Sequence, residues 1–256
     1  IGTGYFLASN PETQATPLSS SIGYIWFQNG SQGSKVMGCN IGSVRLYTSN
    51  ILITRCYIQS NNAIGSYATN LANIVITSCY IRAQTAYNYS AIAISDASNV
   101  LISNCYVFGT ISSNSNFSGI FTNNIFYGSV SVYNSVFKNN IHAYNSFSSD
   151  MSYNNVFTHN VSNNSDYGSA NGNQDNVSMS TVFENFGPNY VDNAYMLRSG
   201  SPAIGAGEYG VDCGIFGGPF PYILSGMPNI PSVYYLNTPP VPSDVIDVAI
   251  KAKSHN

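Results

Sequence analysis

One phrase, written three times, limits what this chain can fold into. Asn50-Ile51-Leu52-Ile53-Thr54-Arg55-Cys56-Tyr57-Ile58 returns as Asn73-Ile74-Val75-Ile76-Thr77-Ser78-Cys79-Tyr80-Ile81, and again as Asn99-Val100-Leu101-Ile102-Ser103-Asn104-Cys105-Tyr106-Val107. The copies begin about 23 and about 26 residues apart, the length of one coil of a β-solenoid. A unit this short cannot bury its apolar face alone and must stack on its neighbours. Ile51 and Ile53, Ile74 and Ile76, Val100 and Ile102 alternate with other residues, and a period of two puts them on one face of a strand. That face is the expected interior. Ile58, Ile81 and Val107 follow a short bend at the Cys position. The expectation is an all-β chain: a parallel β-helix over 1–186, then a Gly/Pro-rich capping segment and terminal edge strand over 187–256.

The chain has 256 residues, enough for one long solenoid. Charged residues are only 7%, against roughly 25% in ordinary soluble domains, so the polar surface must come from Asn, Ser, Thr and Tyr. Such low charge could signal disorder, but 20 Tyr, 13 Phe and many Ile and Val exclude it. The 8 Lys and Arg are scattered and leave no nucleic-acid footprint. No run of about 18 apolar residues is present, so no membrane-spanning helix is expected. The opening at Ile1, with strand-like Tyr5-Phe6-Leu7, reads as a mature or truncated form. The Lys-poor, Asn/Ser/Thr/Tyr-rich composition fits a secreted or cell-surface protein.

Five cysteines are an odd number, so at least one is unpaired within the chain. Cys56, Cys79 and Cys105 share one repeat position, and Cys39 takes it in a weaker early copy over 35–41. Stacked coils lie about 4.8 Å apart, which brings thiols near disulfide range, but side chains in one column point the same way. A column of small buried thiols is the expectation, with a disulfide as the alternative. There is no Cys-x-x-Cys pair, and no metal or cofactor is expected. Beyond residue 108 the phrase drifts to Thr122-Asn123-Asn124-Ile125-Phe126, Lys138-Asn139-Asn140-Ile141-His142 and Asn154-Asn155-Val156-Phe157. Asn124, Asn140 and Asn155 then stand where Cys stood. Asn tolerates the left-handed conformation of a bend and can link coils through its amide. The spacing tightens to about 15 or 16, and the repeat alone does not fix the coil boundaries over 109–165. Residues 162–178 read as a polar loop. Beyond about 186 Gly and Pro rise, as in Ser199-Gly200-Ser201-Pro202 and Gly217-Gly218-Pro219, and this segment is placed to cap the last coil. Residues 246–253 alternate like an edge strand.

The Asn-x-x-Ile-x-Asn/Ser-Asn/Cys-x-Ile/Phe phrase resembles the repeat of the right-handed, pectate-lyase-like parallel β-helix superfamily. The tail, from Leu197-Arg198-Ser199-Gly200-Ser201-Pro202-Ala203-Ile204-Gly205-Ala206-Gly207 to Pro221-Tyr222-Ile223-Leu224-Ser225-Gly226-Met227-Pro228, is similar to the C-terminal segment of secreted or surface β-helix proteins of Bacteroidota. The resemblance implies a right-handed solenoid. It implies no activity, because that fold hosts lyases, hydrolases, adhesins and structural proteins alike.

Enzymes of that superfamily use a calcium-binding carboxylate cluster with a basic residue, or paired carboxylates on neighbouring coils. None of the 11 carboxylates falls on matching positions of adjacent clear coils. Asp96 reads as capping a turn. Asp150, Asp166 and Asp175 either meet across loops around a cation or stay solvated. Arg55 and Arg82 sit at different repeat positions and read as surface residues. His142 and His159 follow the Asn motif at comparable places, as a solvent-facing stack or, alternatively, a catalytic or metal pair. No Ser-His-Asp grouping is legible, and no catalytic residue is assigned. Two stripes remain. Leu52, Val75 and Leu101 alternate out of phase with the core and should point outward, where a row of apolar residues is unusual. Either the chain's own tail covers them or a protein partner does. Tyr57, Tyr80 and Tyr106 form the second stripe, either a platform for sugar rings or protein or a row packed against neighbouring loops. No regular Thr-x-Thr stack suggests ice binding. The expected role is a non-catalytic secreted or cell-surface module, structural or adhesive, within a larger surface assembly. The alternatives are a carbohydrate-active enzyme (lyase or glycoside hydrolase) and a sugar-binding module.

Overall fold

The computed structural model describes residues 21–84, 89–144, 153–186, 195–224, 232–237 and 249–253. The chain winds into a parallel β-solenoid of about seven turns. One face of each turn belongs to a seven-stranded parallel sheet built from Lys35–Met37, Ile51–Thr54, Leu71–Thr77, Ala97–Ser103, Gly119–Thr122, Ser135–Lys138 and Val156–Thr158 (face 1). A two-residue bend then leads to Tyr57–Gln59, Tyr80–Arg82, Tyr106–Phe108, Ile125–Tyr127, Ile141–Tyr144 and Val161–Ser162 (face 2). A third ladder holds Asn62–Ser66, Ser90–Ala93, Thr110–Ser112 and Val130–Ser131 (face 3). In the first turn Asn40–Leu46 runs through faces 2 and 3 without a break, and Ser21–Phe27 pairs with it on the other side.

The interior is the alternating set that the repeat predicts. Ile53, Ile76 and Ile102 lie in direct register on consecutive strands and are buried. The same column continues into Phe121, Phe137 and Phe157. The Phe121 and Phe137 rings stack with centroids 4.5 Å apart. Each buried Ile removes enough apolar surface to contribute about 1.5–3 kcal/mol. The gain exists only because the next turn covers it, so stability accrues turn by turn.

Two columns of left-handed residues turn the corners. Arg55, Ser78, Asn104, Asn123, Asn139 and His159 have positive φ at the bend between faces 1 and 2. Asn50, Asn73, Asn99, Asn134 and Asn154 do the same at the entrance to face 1, Asn73 and Asn99 within the first residues of their strands. Asn bears this conformation better than other side chains because its short amide bonds locally. The residue after each bend points inward, giving the column Cys56, Cys79, Cys105, Asn124, Asn140 and Asn160. Cys and Asn do alternate at one position, but Asn155 is not part of that run. It follows the other left-handed column, and its Oδ1 accepts from the Ser135 amide at 2.9 Å. Asn160 takes the bend position instead. The shortened turns had brought two similar Asn-Asn pairs into the same apparent phase. All five cysteines are free and buried, so the disulfide alternative is not realised.

The last turn is closed by the polar loop after residue 162. Its Tyr167 is buried in the solenoid core, 5.3 Å from the Phe157 ring. Residues 177–186 and 195–224 contribute side chains to a second apolar core on the outside of face 2, with Tyr106, Phe108, Ile125, Tyr127 and Ile141. Face 2 is therefore buried on both sides. The bend residues hold this segment: Asn104 Nδ2 donates to Ile215 O at 3.0 Å and Gly217 O at 2.8 Å. Asn123 Nδ2 donates to Asp212 O at 3.0 Å, and Asn139 Oδ1 accepts from the Glu208 amide at 2.8 Å. The approach is close enough to require glycine at 217, where a Cβ would sit 1.9 Å from Asp212 O. Ser232–Asn237 and Ala249–Lys253 form an antiparallel pair, consistent with the strand expected near the end of the chain.

Candidate functional site

Asp96, Asp175 and Arg82 each have partners within the fold. Asp96 accepts from Asn114 Nδ2 at 2.9 Å and Asn116 Nδ2 at 2.8 Å, and these bonds hold its carboxyl below the usual range. Asp175 accepts from the Tyr167 and Gly168 amides. Asp150 lies outside the described residues. Among the described residues no group of three or more His, Cys, Asp or Glu could hold a metal ion. Arg82 lies over the Phe108 ring at 5.4 Å.

The two histidines do not share a face. His159 is itself a left-handed bend residue, packed so closely on Gly172 that a Cβ there would lie 2.6 Å from its ring. His142 points into the interior, in the column of Ile58, Ile81, Val107 and Phe126. It joins a grouping that the sequence concealed. His142 Nδ1 lies 2.8 Å from Asp166 Oδ2, and Ser162 Oγ donates to that same oxygen. His142 Nε2 lies 2.9 Å from Gly128 O, a carbonyl that can only accept, so Nε2 carries a proton. Ser, Asp and His thus meet, but Ser and His both bind one carboxylate oxygen, and the His and Asp side chains are nearly completely sealed from solvent. With no path to a substrate, the cluster closes the polar end of the core rather than activating a nucleophile.

Tyr57, Tyr80 and Tyr106 do stack outward on face 2, with ring centroids 5.6 and 4.6 Å apart. The row continues onto Tyr195 of the C-terminal segment at 4.3 Å, and the Tyr106 and Tyr195 hydroxyls share a hydrogen bond of 2.6 Å. Tyr80 and Tyr106 are each 1% exposed and offer no face to a ligand. Burial drives the Tyr106 phenol well above its ordinary pKa, with Tyr195 adding to the effect. Tyr57 at the end of the row is half-buried.

The other stripe is longer than the repeat reveals. Leu52, Val75 and Leu101 are in register with one another and with Ile120, Val136 and Val156. The first three are half-buried and the last three exposed. Beside them runs Thr54, Thr77, Ser103, Thr122, Lys138 and Thr158. The tail borders part of this face. Pro219, Phe220 and Ile223 stand opposite Val75 and Leu101 across a groove of about 490 Å³, within the range of ligand sites. Phe220 is 75% exposed at its edge. Arg55 is in the lining, which holds no carboxylate among the described residues.

A third feature escaped the sequence reading. Trp26, Tyr47 and Tyr67 come from three successive windings and meet at the outer edge of face 3. Their centroids are 6.5 Å (Trp26–Tyr47) and 5.5 Å (Tyr47–Tyr67) apart. The amides of Tyr47 and Tyr67 continue the ladder onto Phe27 O and Leu46 O, which fixes them one above the other. The available signal was a Tyr directly after the third strand of two consecutive turns. No family model matches this chain, and neither does a curated protein or a solved structure.

Proposed function

We propose that the chain is a non-catalytic secreted or cell-surface module, structural or adhesive, that works within a larger surface assembly. The observation that carries this reading is the outward column of face 1. Six aliphatic side chains lie in register over six turns, flanked by a hydroxyl-rich column and opening into the groove beside Phe220. A rigid, low-charge strip of this kind suits contact with an extended partner better than turnover of a substrate. The low charge supports an extracellular setting, and the repeat and tail support descent from right-handed, pectate-lyase-like β-helices of the Bacteroidota type. The competing reading, a polysaccharide lyase or glycoside hydrolase, would be favoured by two carboxylates about 5–10 Å apart in a groove. The face 1 groove supplies none among the described residues.

The test is adsorption of the purified protein to native envelope material from its source cells. The variant Leu101→Glu, Ile120→Glu, Val156→Glu should bind at least about tenfold more weakly with its unfolding midpoint nearly unchanged. Equal binding by the variant contradicts the face 1 assignment. Reproducible cleavage of a polysaccharide, abolished by one carboxylate substitution, contradicts the non-catalytic reading.

A further inference from the structure

Tryptophan occurs once in this chain, and it stands on the surface. Trp26 is 60% exposed, and Tyr24, two residues earlier on the same side of the strand, is 71% exposed. Burying a large aromatic ring is among the most favourable things a chain can do with one. Two such rings left open near Tyr47 and Tyr67 therefore form an aromatic patch that the described residues do not bury.

The patch is also built rather than loose. The Tyr67 ring, 46% exposed, lies against the backbone at Gly65, where a Cβ would come 3.0 Å from the ring. Arg45 sits over the same ring at 4.8 Å and donates to its hydroxyl, which also accepts from Asn62 Nδ2 at 3.2 Å. Tyr47 lies between Trp26 and Tyr67, stacked on Tyr67 at an interplanar angle of 27° and tilted against Trp26 at 50°. A ring clamped by a glycine, a guanidinium and an amide loses little freedom on meeting a ligand, which is the condition for useful affinity from a shallow surface.

Next to the row lies an open pocket of about 570 Å³, of which Tyr47 and Tyr67 form one wall. Its other wall carries exposed amide and hydroxyl groups from Asn29, Gln32, Thr69 and Asn70. Among the described residues no charged side chain lines it. Aromatic faces beside neutral donors and acceptors match a molecule whose rings present C–H faces and whose edges present hydroxyls. An anionic sugar would want a cation in the wall, and Arg45 is already engaged with Tyr67.

We infer that the Trp26–Tyr47–Tyr67 corner is a binding site for a neutral oligosaccharide. A pyranose ring packs on the exposed Trp26 indole, the sugar chain runs along the open edges of Tyr47 and Tyr67, and the amides of Asn29, Gln32 and Asn70 bond its hydroxyls. The pocket reaches face 1 at Leu71 but shares no residue with the outward column of that face, so substitutions separate this site from the adhesive surface.

Trp26 reports on its own site. Intrinsic fluorescence of the whole chain is titrated with neutral gluco-, manno-, galacto- and xylo-oligosaccharides and with oligogalacturonate. The site predicts that at least one neutral series shifts Trp26 emission and protects it from acrylamide, while oligogalacturonate does not. Calorimetry then compares Trp26→Ala, Tyr67→Ala and Tyr67→Phe with the original, each checked for an unchanged circular dichroism spectrum. Both alanine variants should weaken binding at least about tenfold, and Tyr67→Phe, which keeps the ring, much less. A flat response to every neutral series, a response to oligogalacturonate alone, or undiminished binding by both alanine variants overturns the assignment. Loss of the face 1 column in Leu101→Glu, Ile120→Glu, Val156→Glu should leave the titration intact.

Discussion

The two halves of the bend column meet the same backbone demand with different chemistry. At each bend the inward residue's amide points along the axis toward the next turn and needs an acceptor there. In the N-terminal half a thiol serves. The Cys56 amide donates to Cys79 Sγ, and the Cys79 amide to Cys105 Sγ, both at 3.4 Å. Each thiol donates back to the carbonyl two residues earlier, as Cys79 Sγ does to Thr77 O at 3.2 Å. In the C-terminal half a carboxamide serves. The Cys105, Asn124 and Asn140 amides donate to Oδ1 of Asn124, Asn140 and Asn160 at 2.9, 2.9 and 3.0 Å. Each Nδ2 then reaches a face 1 carbonyl of the preceding turn, as Asn140 does to Phe121 O at 2.9 Å. Sulfur is a weak acceptor, so the thiol half relies on its aliphatic packing. The amide half forms a continuous ladder, and its interior turns aromatic and finally polar at His142 and Ser162. The left-handed residue before Cys105, Asn124 and Asn140 is itself Asn (Asn104, Asn123 and Asn139), and that side chain binds the C-terminal segment.

Substitutions can break this contrast. The largest effect is expected at the polar end. Asp166→Ala leaves His142 and Ser162 buried without their shared acceptor and should cost about 3–5 kcal/mol in chemical denaturation. Asn140→Ala orphans the Asn124 amide and Phe121 O and should cost about 2–4 kcal/mol. The matching change in the other half, Cys79→Ala, removes a weaker acceptor and should cost about 1–2 kcal/mol. A smaller, pH-dependent effect separates the thiols themselves. Burial and Asp212 push the Cys213 thiol up to about 12, and Cys79 is raised well above its usual value by burial. The native state keeps these protons while the unfolded chain releases them above about pH 8.5. Stability should therefore hold below that pH and fall as pH rises beyond it, by about 1.4 kcal/mol per thiol at a pH one unit above the unfolded value. The same burial predicts that a thiol reagent at neutral pH labels none of the five cysteines until the chain unfolds. The smallest effect sharpens the comparison best. Cys105→Asn would extend the ladder by one rung, since Cys105 Sγ already lies 3.6 Å from Ile76 O, and should change stability by under about 1 kcal/mol.

The sequence made the stacking legible because Ile53, Ile76 and Ile102 recur with their bend intact. It made the Cys-to-Asn exchange legible for Asn124 and Asn140. It misplaced Asn155 because two left-handed Asn columns look alike once the turns shorten, and only pairing shows which corner an Asn serves. It read the Tyr row as outward-facing, which it is, but the covering residue, Tyr195, lies 89 residues beyond Tyr106. Contacts of that range leave no local pattern. The face 1 column was half legible: Leu52, Val75 and Leu101 stood in the repeat, while Ile120, Val136 and Val156 fell where the phrase had drifted. The Trp26 corner was invisible because its three rings come from three windings of different length.

The central claim is that the buried polar side chains of this protein hold its turns together, each serving the amide of the turn before it. Hydrogen exchange followed by NMR tests it at the amides of Cys56, Cys79, Cys105, Asn124 and Asn140. All five should be strongly protected, and Asn140→Ala should release the Asn124 amide selectively while Cys56 stays protected. Exchange of these amides at the rate of exposed loops, or an Asn124 amide still protected in Asn140→Ala, would contradict the claim.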